Sequence, residues 1–247
     1  MPGTIYNGMA PFRRNAVETQ IEPRPARMAL VPDRLPRHVF HLAEAANFPS
    51  IQQYGLLSAS ALLDLAGIHG EERIVLEQRQ RTVHLKLPNG TYLRDQKPMP
   101  AQTLAPCLIG MEPADWYGLI NSKVFFWLDP DRLNRQRQAC GLRSQIVMIV
   151  DTTRLLDRYA EMTFLSPINT GNARRKPAMR GRRTFVPYAC WLESGWHSEA
   201  AGLGGRTRHR SHRPAELTIE GAVPDIMDLV VRVCRLGPGE SFSAPTS

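Results

Sequence analysis

The sequence has no Cys-x-x-Cys pair; its four cysteines, Cys107, Cys140, Cys190 and Cys234, lie far apart. That spacing argues against a zinc ribbon or a disulfide framework, so a reducing, cytoplasmic setting is expected. No apolar run approaches the roughly 18 residues of a membrane span, and no membrane partner is expected. The N-terminal stretch has basic residues without an apolar segment behind them, so a secretory leader is not expected either. No Gly-x-Gly-x-x-Gly follows a strand-like segment, which leaves a Rossmann nucleotide site without support. Internal repeats and a regular strand–helix alternation are also missing, and the latter points to α+β rather than a doubly wound α/β fold.

What the chain does have is arginine. Its net charge is +8 and arginine heavily outnumbers lysine. Guanidinium forks match phosphate geometry, so the balance suits a polyanionic partner, although solubility alone accounts for it equally well. With 247 residues, 43% hydrophobic and 22% charged, the chain is long and apolar enough for a packed core.

Residues 1–36 are rich in proline and arginine (Arg13, Arg14, Arg24, Arg27) and lack periodicity, so a flexible basic arm is expected there. A domain over 37–236 follows, then a disordered polar tail over 237–247. The domain opens with Val39-Phe40-His41-Leu42, a short buried strand carrying a histidine. Asn47 is placed to cap a helix with Pro49 in its first turn, Ile51 and Tyr54 on its apolar side and Gly55 as its stop. Residues 82–87 and 91–94 form strands around a Pro88-Asn89-Gly90 turn. Lys123–Leu128 and Ile146–Val150 are apolar strands, and Asp129 and Asp151 each start a helix.

Three polar positions stand out: His41 in its strand, Arg79 or Arg81, and Glu216 at the head of Leu217-Thr218-Ile219. A strand histidine is commonly a hydrogen-bonded core residue. An acid in such a setting needs a substrate or a partner such as Arg213, because an unpaired buried charge is costly. Trp116, Tyr117, Phe125, Phe126 and Trp127 can stack a ring or pack the core, and Asn121 and Asn169 can touch a ligand or serve turns. His209 and His212 lack the further ligands of a metal site, so no metal is expected.

Taken together and in order, these residues resemble the ADP-ribosyltransferase superfamily, most of all the DarT-type DNA ADP-ribosyltransferase toxins. The matching pieces are His41 followed by Asn47, Ile51, Gly55 and Leu57; then Glu77, Arg79, Arg81, Val83, the 88–90 turn and Asp95; and finally Ala215, Glu216, Leu217, Pro224 and Ile226. The pattern departs from that family at Gln96–Ser122, an insert ahead of Val124-Phe125-Phe126-Trp127, and at Ser166–Arg183, which has no counterpart.

The resemblance implies a split mixed β-sandwich with short flanking helices, and NAD as substrate. It implies that Glu216 and Arg79 are catalytic, and that His41, Asn47, Arg81, Asp95 and Phe125 bind the cofactor. Glu216 would stabilise the oxocarbenium-like ribose or act as base, Arg79 would engage the pyrophosphate or the charge developing around the reacting ribose, and His41 would fix the pose of NAD. The implied acceptor is nucleic acid, single-stranded by preference, in a toxin or defence protein. Two alternatives stand beside it: an enzyme similar to RNA 2′-phosphotransferases, and a non-catalytic reader of nucleic acid or nucleotides. The arginines between Arg174 and Arg183 and between Arg206 and Arg213 would form a basic rim if both segments flank the cleft.

Overall fold

The computed structural model describes residues 34–174 and 177–244. The expected basic arm, with Arg13, Arg14, Arg24 and Arg27, lies outside these residues, as do Arg175 and Lys176.

Eleven strands are formed among the described residues: β1 (His38–Glu44), β2 (Leu56–Leu57), β3 (Leu85–Lys86), β4 (Tyr92–Leu93), β5 (Lys123–Trp127), β6 (Gln145–Asp151), β7 (Thr163–Ser166), β8 (Val186–Pro187), β9 (Glu216–Glu220), β10 (Ala222–Val223) and β11 (Val230–Leu236). The helices are short: α1 (Phe48–Tyr54), α2 (Ala59–Leu65), α3 (Gly70–Gln78), α4 (Ala101–Leu104), α5 (Pro113–Asn121), α6 (Pro130–Ala139), α7 (Thr152–Tyr159), α8 (Tyr188–Ser194), α9 (His197–Leu203) and α10 (Ile226–Leu229). Seven strands make one sheet in the order β11-β6-β1-β5-β9-β7-β8, with antiparallel neighbours throughout. An antiparallel sheet with short, irregularly placed helices is the α+β class read from the sequence.

The sheet opens at its middle. β1 and β6 pair residue by residue from His38↔Asp151 to Glu44↔Gln145, whereas β1 and β5 share the single pair Phe40↔Trp127. Three strands lie on one side of this seam and four on the other.

Period-two alternation explains the two faces. On one face Val39, Ala43, Val124, Phe126, Leu217 and Ile219 join the main core with Trp191 and Trp196. On the other, Phe40, Leu42 and Trp127 pack on Leu133, Cys140 and Phe242. Burying side chains of this size contributes roughly 1.5–3 kcal/mol each. The packed domain extends past the expected limits at both ends. Leu35 is buried in the main core, and Phe242 is buried against Phe40 while Asn134 bonds its backbone at both polar atoms.

Both segments that depart from the resemblance build one layer. The 96–122 insert makes its own core from Met99, Leu104, Trp116, Tyr117 and Ile120, which takes in Ala173 from the later segment and Phe185 just beyond it. Backbone bonds from Ala173 to Pro98, Ile109 to Arg180 and Arg180 to Cys107, each 2.8 Å, tie the two together. Trp116, considered for stacking, is fully buried here.

Candidate active-site cleft

Where β1 and β5 part, a cleft of about 620 Å³ opens. Its walls come from His41–Glu44, from α1 and β2, from the β3–β4 hairpin and the chain after it, from β5, from α6, from Asn169, Gly171 and Asn172, and from Glu216. That volume is in the range of small-molecule sites.

His41 bridges the seam. Its Nδ1 donates to the Phe125 carbonyl at 2.8 Å, across the point where the strands diverge. A carbonyl only accepts, so Nδ1 carries the proton and Nε2 is the acceptor. Burial lowers the His41 pKa to about 4, with the charge of Arg94 acting in the same direction and the Phe125 bond opposing it. The ring is therefore neutral at physiological pH.

Glu216 heads β9, opposite Trp127 on one side and Ser166 on the other. Its carboxylate is 3% exposed and accepts from Thr170 twice: from the backbone N–H at 3.2 Å and from the hydroxyl at 2.7 Å. Burial raises its pKa to about 7, while Thr170 and the charges of Arg180 and Arg132 pull the other way. Arg180 is itself buried, stands over the Trp116 ring at 5.7 Å and donates to the Thr170 carbonyl at 3.1 Å. Arg213, considered as an ion-pair partner of Glu216, is exposed and borders a separate depression with Arg34 and Arg210.

The remaining expected residues divide. Arg79, for which a catalytic role is implied, stands exposed just past the end of α3 and does not border the cleft. The reason is local: α3 stops at Gln78, and the extended chain beyond it turns Arg81 inward instead. Arg81 does border the cleft, but all three of its guanidinium nitrogens are bonded, to the carbonyls of Leu76 and Arg94 and to Asn121 Oδ1. It braces the hairpin against α5; burial lowers its pKa to about 10.

Asn47 does not cap α1. Its side-chain amide pairs with both backbone groups of Tyr92, at 3.0 and 2.8 Å, fixing β4 beside the cleft. Asp95 and Phe125 line the cleft half-buried; the Asp95 carboxylate accepts from the Lys97 N–H at 3.3 Å. Asn121 is buried between Arg81 and Gln96, and Asn169 borders the cleft.

Sequence reasoning missed several residues. Thr170 sits in a loop with no periodic signal, and Arg180, expected on the basic rim, is instead buried beneath it. Glu44 ends β1 buried, within 3.3 Å of Arg143 and 3.8 Å of Arg94, and accepts from Gln145 at 2.6 Å. Lys123 is buried against the rings of Phe164 and Phe185 and ion-paired with Glu220. Arg132 and Arg135 project from α6, an i, i+3 spacing that marks one helix face. In all, six cationic side chains (Arg81, Arg94, Lys123, Arg132, Arg135, Arg143) border the cleft against three acids (Glu44, Asp95, Glu216), so an anionic ligand is favoured.

Among the described residues, no arginine of either basic segment lines the cleft; those of the first follow directly on its lining residues Gly171 and Asn172. Arg174 donates to the Lys97 carbonyl at 3.2 Å, and the charge of Arg182 acts on Lys123. The second does not border the cleft: Arg208 pairs with Glu199, and His212 bonds Pro167. Among the described residues no three His, Cys, Asp or Glu side chains are grouped to hold a metal, and no helix is long and apolar enough to cross a membrane.

The fold and site define an α+β protein with an anion-favouring cleft at a sheet seam. The family described as "Family of unknown function (DUF7002)" matches residues 37–230, and the chain belongs to it. No curated relative matches. Among solved structures, Thermosipho africanus DarTG in complex with ADP-ribose is similar at 10% identity and a TM-score of 0.41, over 80% of this chain. The chain covers 43% of that protein, less than half its length.

Proposed function

We propose that this chain is an NAD-dependent ADP-ribosyltransferase that modifies a nucleic acid, with the seam between β1 and β5 as the split of a β-sandwich of that kind. One observation carries the reading. His41 and Glu216, far apart in sequence and singled out by the resemblance, border the same cationic cleft.

The cleft fits the substrate in volume and charge, and it offers a neutral imidazole acceptor, His41 Nε2, to a ribose hydroxyl. NAD supplies a glycosidic C–N bond whose cleavage leaves positive charge on the ribose and releases neutral nicotinamide with the bonding pair. Glu216, about half ionised near its pKa of about 7, opposes that charge and accepts the proton lost by the attacking group of the acceptor. Buried preorganisation makes one carboxylate effective here, since water screens it little.

The test is incubation with isotope-labelled NAD and, in turn, single-stranded DNA, single-stranded RNA and a protein mixture, read by mass spectrometry. ADP-ribose on a nucleic acid supports the proposal; neither binding nor cleavage of NAD with any acceptor ends it. A binding-only module is favoured by one observation, the exposed position of Arg79 outside the cleft. It predicts nucleotide binding without turnover, unchanged by replacing His41, Arg79 and Glu216 together.

A further inference from the structure

With Arg79 outside the cleft, the anionic part of a ligand needs other partners. Arg81 has every nitrogen bonded to the protein. Arg94 and Arg143 face the buried carboxylate of Glu44, which offsets their charge. Lys123 is paired with Glu220. That leaves α6. Arg132 and Arg135 border the cleft from one face of this ten-residue helix. Their Nε atoms face Asp129 at 4.0 Å and the Asp131 carbonyl at 3.3 Å. Among the described residues, their terminal nitrogens make no hydrogen bond, so two guanidinium ends remain open toward the cavity.

The corner they occupy is built. Gln136, one turn on from Arg132, accepts from the Trp127 indole N–H at 2.7 Å, which leaves its own amide N–H₂ as a donor. Trp127 lies opposite Glu216 in the sheet, so this corner adjoins the carboxylate. Two adjacent forks and an amide donor match the several oxygens of a diphosphate better than one carboxylate.

We infer that Arg132, Arg135 and the Gln136 amide form a diphosphate-binding subsite, the place where the cleft grips the bridging phosphates of a dinucleotide. This rests on the ADP-ribosyltransferase reading for the identity of the dinucleotide, though not for the site itself. A diphosphate held there lies beside Glu216, the arrangement required if the adjoining ribose is to meet that carboxylate.

Calorimetric titration with inorganic pyrophosphate, ADP, adenosine and NAD tests it on the full chain. The wild type should bind ADP at least about tenfold more tightly than adenosine, as expected for two charge-assisted contacts. R132A/R135A should lose that preference while adenosine binding stays, R132K/R135K should keep part of it, and R79A should change nothing. A single melting transition near the wild-type temperature in R132A/R135A shows that the fold is kept.

An ADP preference that survives in R132A/R135A overturns the site, as does a wild type that binds neither pyrophosphate nor ADP better than adenosine. Pyrophosphate displaced by an oligonucleotide and not by NAD overturns the dinucleotide assignment. If the arginines hold pyrophosphate and ADP but NAD is neither bound nor cleaved, the enzyme reading falls and the subsite stands. If NAD binds equally to wild type and R132A/R135A, the subsite falls and the enzyme reading stands.

Discussion

Thr170 holds the Glu216 carboxylate with its backbone N–H at 3.2 Å and its hydroxyl at 2.7 Å, and Arg180 in turn holds the Thr170 carbonyl at 3.1 Å. The loop between β7 and β8 therefore holds the buried acid in position and favours its ionised form against the effect of burial. Glu216→Gln should keep the fold, because the side chain is nearly isosteric and its oxygen can still accept from Thr170. Transfer should fall roughly a hundredfold or more, since the charge opposing the oxocarbenium ion is gone. Single-turnover rates with labelled NAD check this. Retained activity would move the catalytic role to another acid.

Thr170 itself should act through pH. Its bonds favour the ionised carboxylate, so Thr170→Val removes the hydroxyl and pushes the Glu216 pKa further above about 7. The rising limb of the rate–pH profile should shift to higher pH, with activity recovering in alkaline buffer, and Thr170→Ser should restore the wild-type profile. A uniform loss at every pH would assign Thr170 to packing alone.

Stability should carry the signatures of Glu216 and His41 with opposite signs. Glu216 is raised from 4.5 to about 7, so the folded state holds its proton more tightly than the unfolded chain. Its contribution is fully present below pH 4.5 and is lost as pH rises through 7, by up to about 3 kcal/mol. His41 is lowered from 6.5 to about 4, so its contribution is present above pH 6.5 and lost as pH falls through 4. Urea midpoints from pH 4 to 8 should show Glu216→Gln gaining on the wild type as pH rises. His41→Gln should gain as pH falls. An identical pH dependence in all three proteins would contradict these environments.

How much of this was legible depends on the range of the signal. β1 and β6 follow from apolar pattern, the β3–β4 hairpin from Pro88-Asn89-Gly90, and the α1 stop from Gly55, which has a φ of 79°. Those signals are local. Asn47 looks like a cap by its neighbours, yet its partner is Tyr92, 45 residues away. An acid-x-Arg-x-Arg pattern does not say which arginine turns inward; the end of α3 decides for Arg81. Thr170 is 46 residues from Glu216 in a loop, where neither period nor composition marks it.

Those long-range contacts predict an ordering of variants. Asn47→Ala leaves both backbone groups of Tyr92 without their partners and should destabilise by about 1–3 kcal/mol, whereas Arg79→Ala at an exposed position should stay within about 0.5 kcal/mol. Gly55→Ala should cost more than about 1 kcal/mol. Beyond the positive φ, its Cβ would fall 2.3 Å from the Pro224 Cα and 2.4 Å from the Val223 carbonyl oxygen. Thermal melting of the three variants checks the order; an intact Asn47→Ala protein with a displaced Arg79→Ala one would reverse it.

The acceptor prediction concerns the rim. Arg174, Arg182 and Arg183 are exposed in the segment that follows the cleft-lining Gly171 and Asn172, and Arg182 acts electrostatically on Lys123 inside it. Arg180, in the same segment, is buried beneath Thr170 and belongs to the fold, so it is left out of the test. If a phosphate backbone approaches along this rim, binding of a single-stranded oligonucleotide should weaken steeply with salt, each neutralised phosphate adding about 0.7 to the log–log slope. Replacing Arg174, Arg182 and Arg183 by glutamine should flatten the slope by roughly 2 if each meets one phosphate. NAD affinity should hardly change, because none of the three borders the cleft. Fluorescence anisotropy from 50 to 300 mM salt measures the slope. A slope near zero in the wild type would remove nucleic acid as acceptor and turn the search to a protein or a small molecule. An unchanged slope in the triple variant would move the track to Arg206, Arg210 and Arg213, which are exposed on the loop before β9.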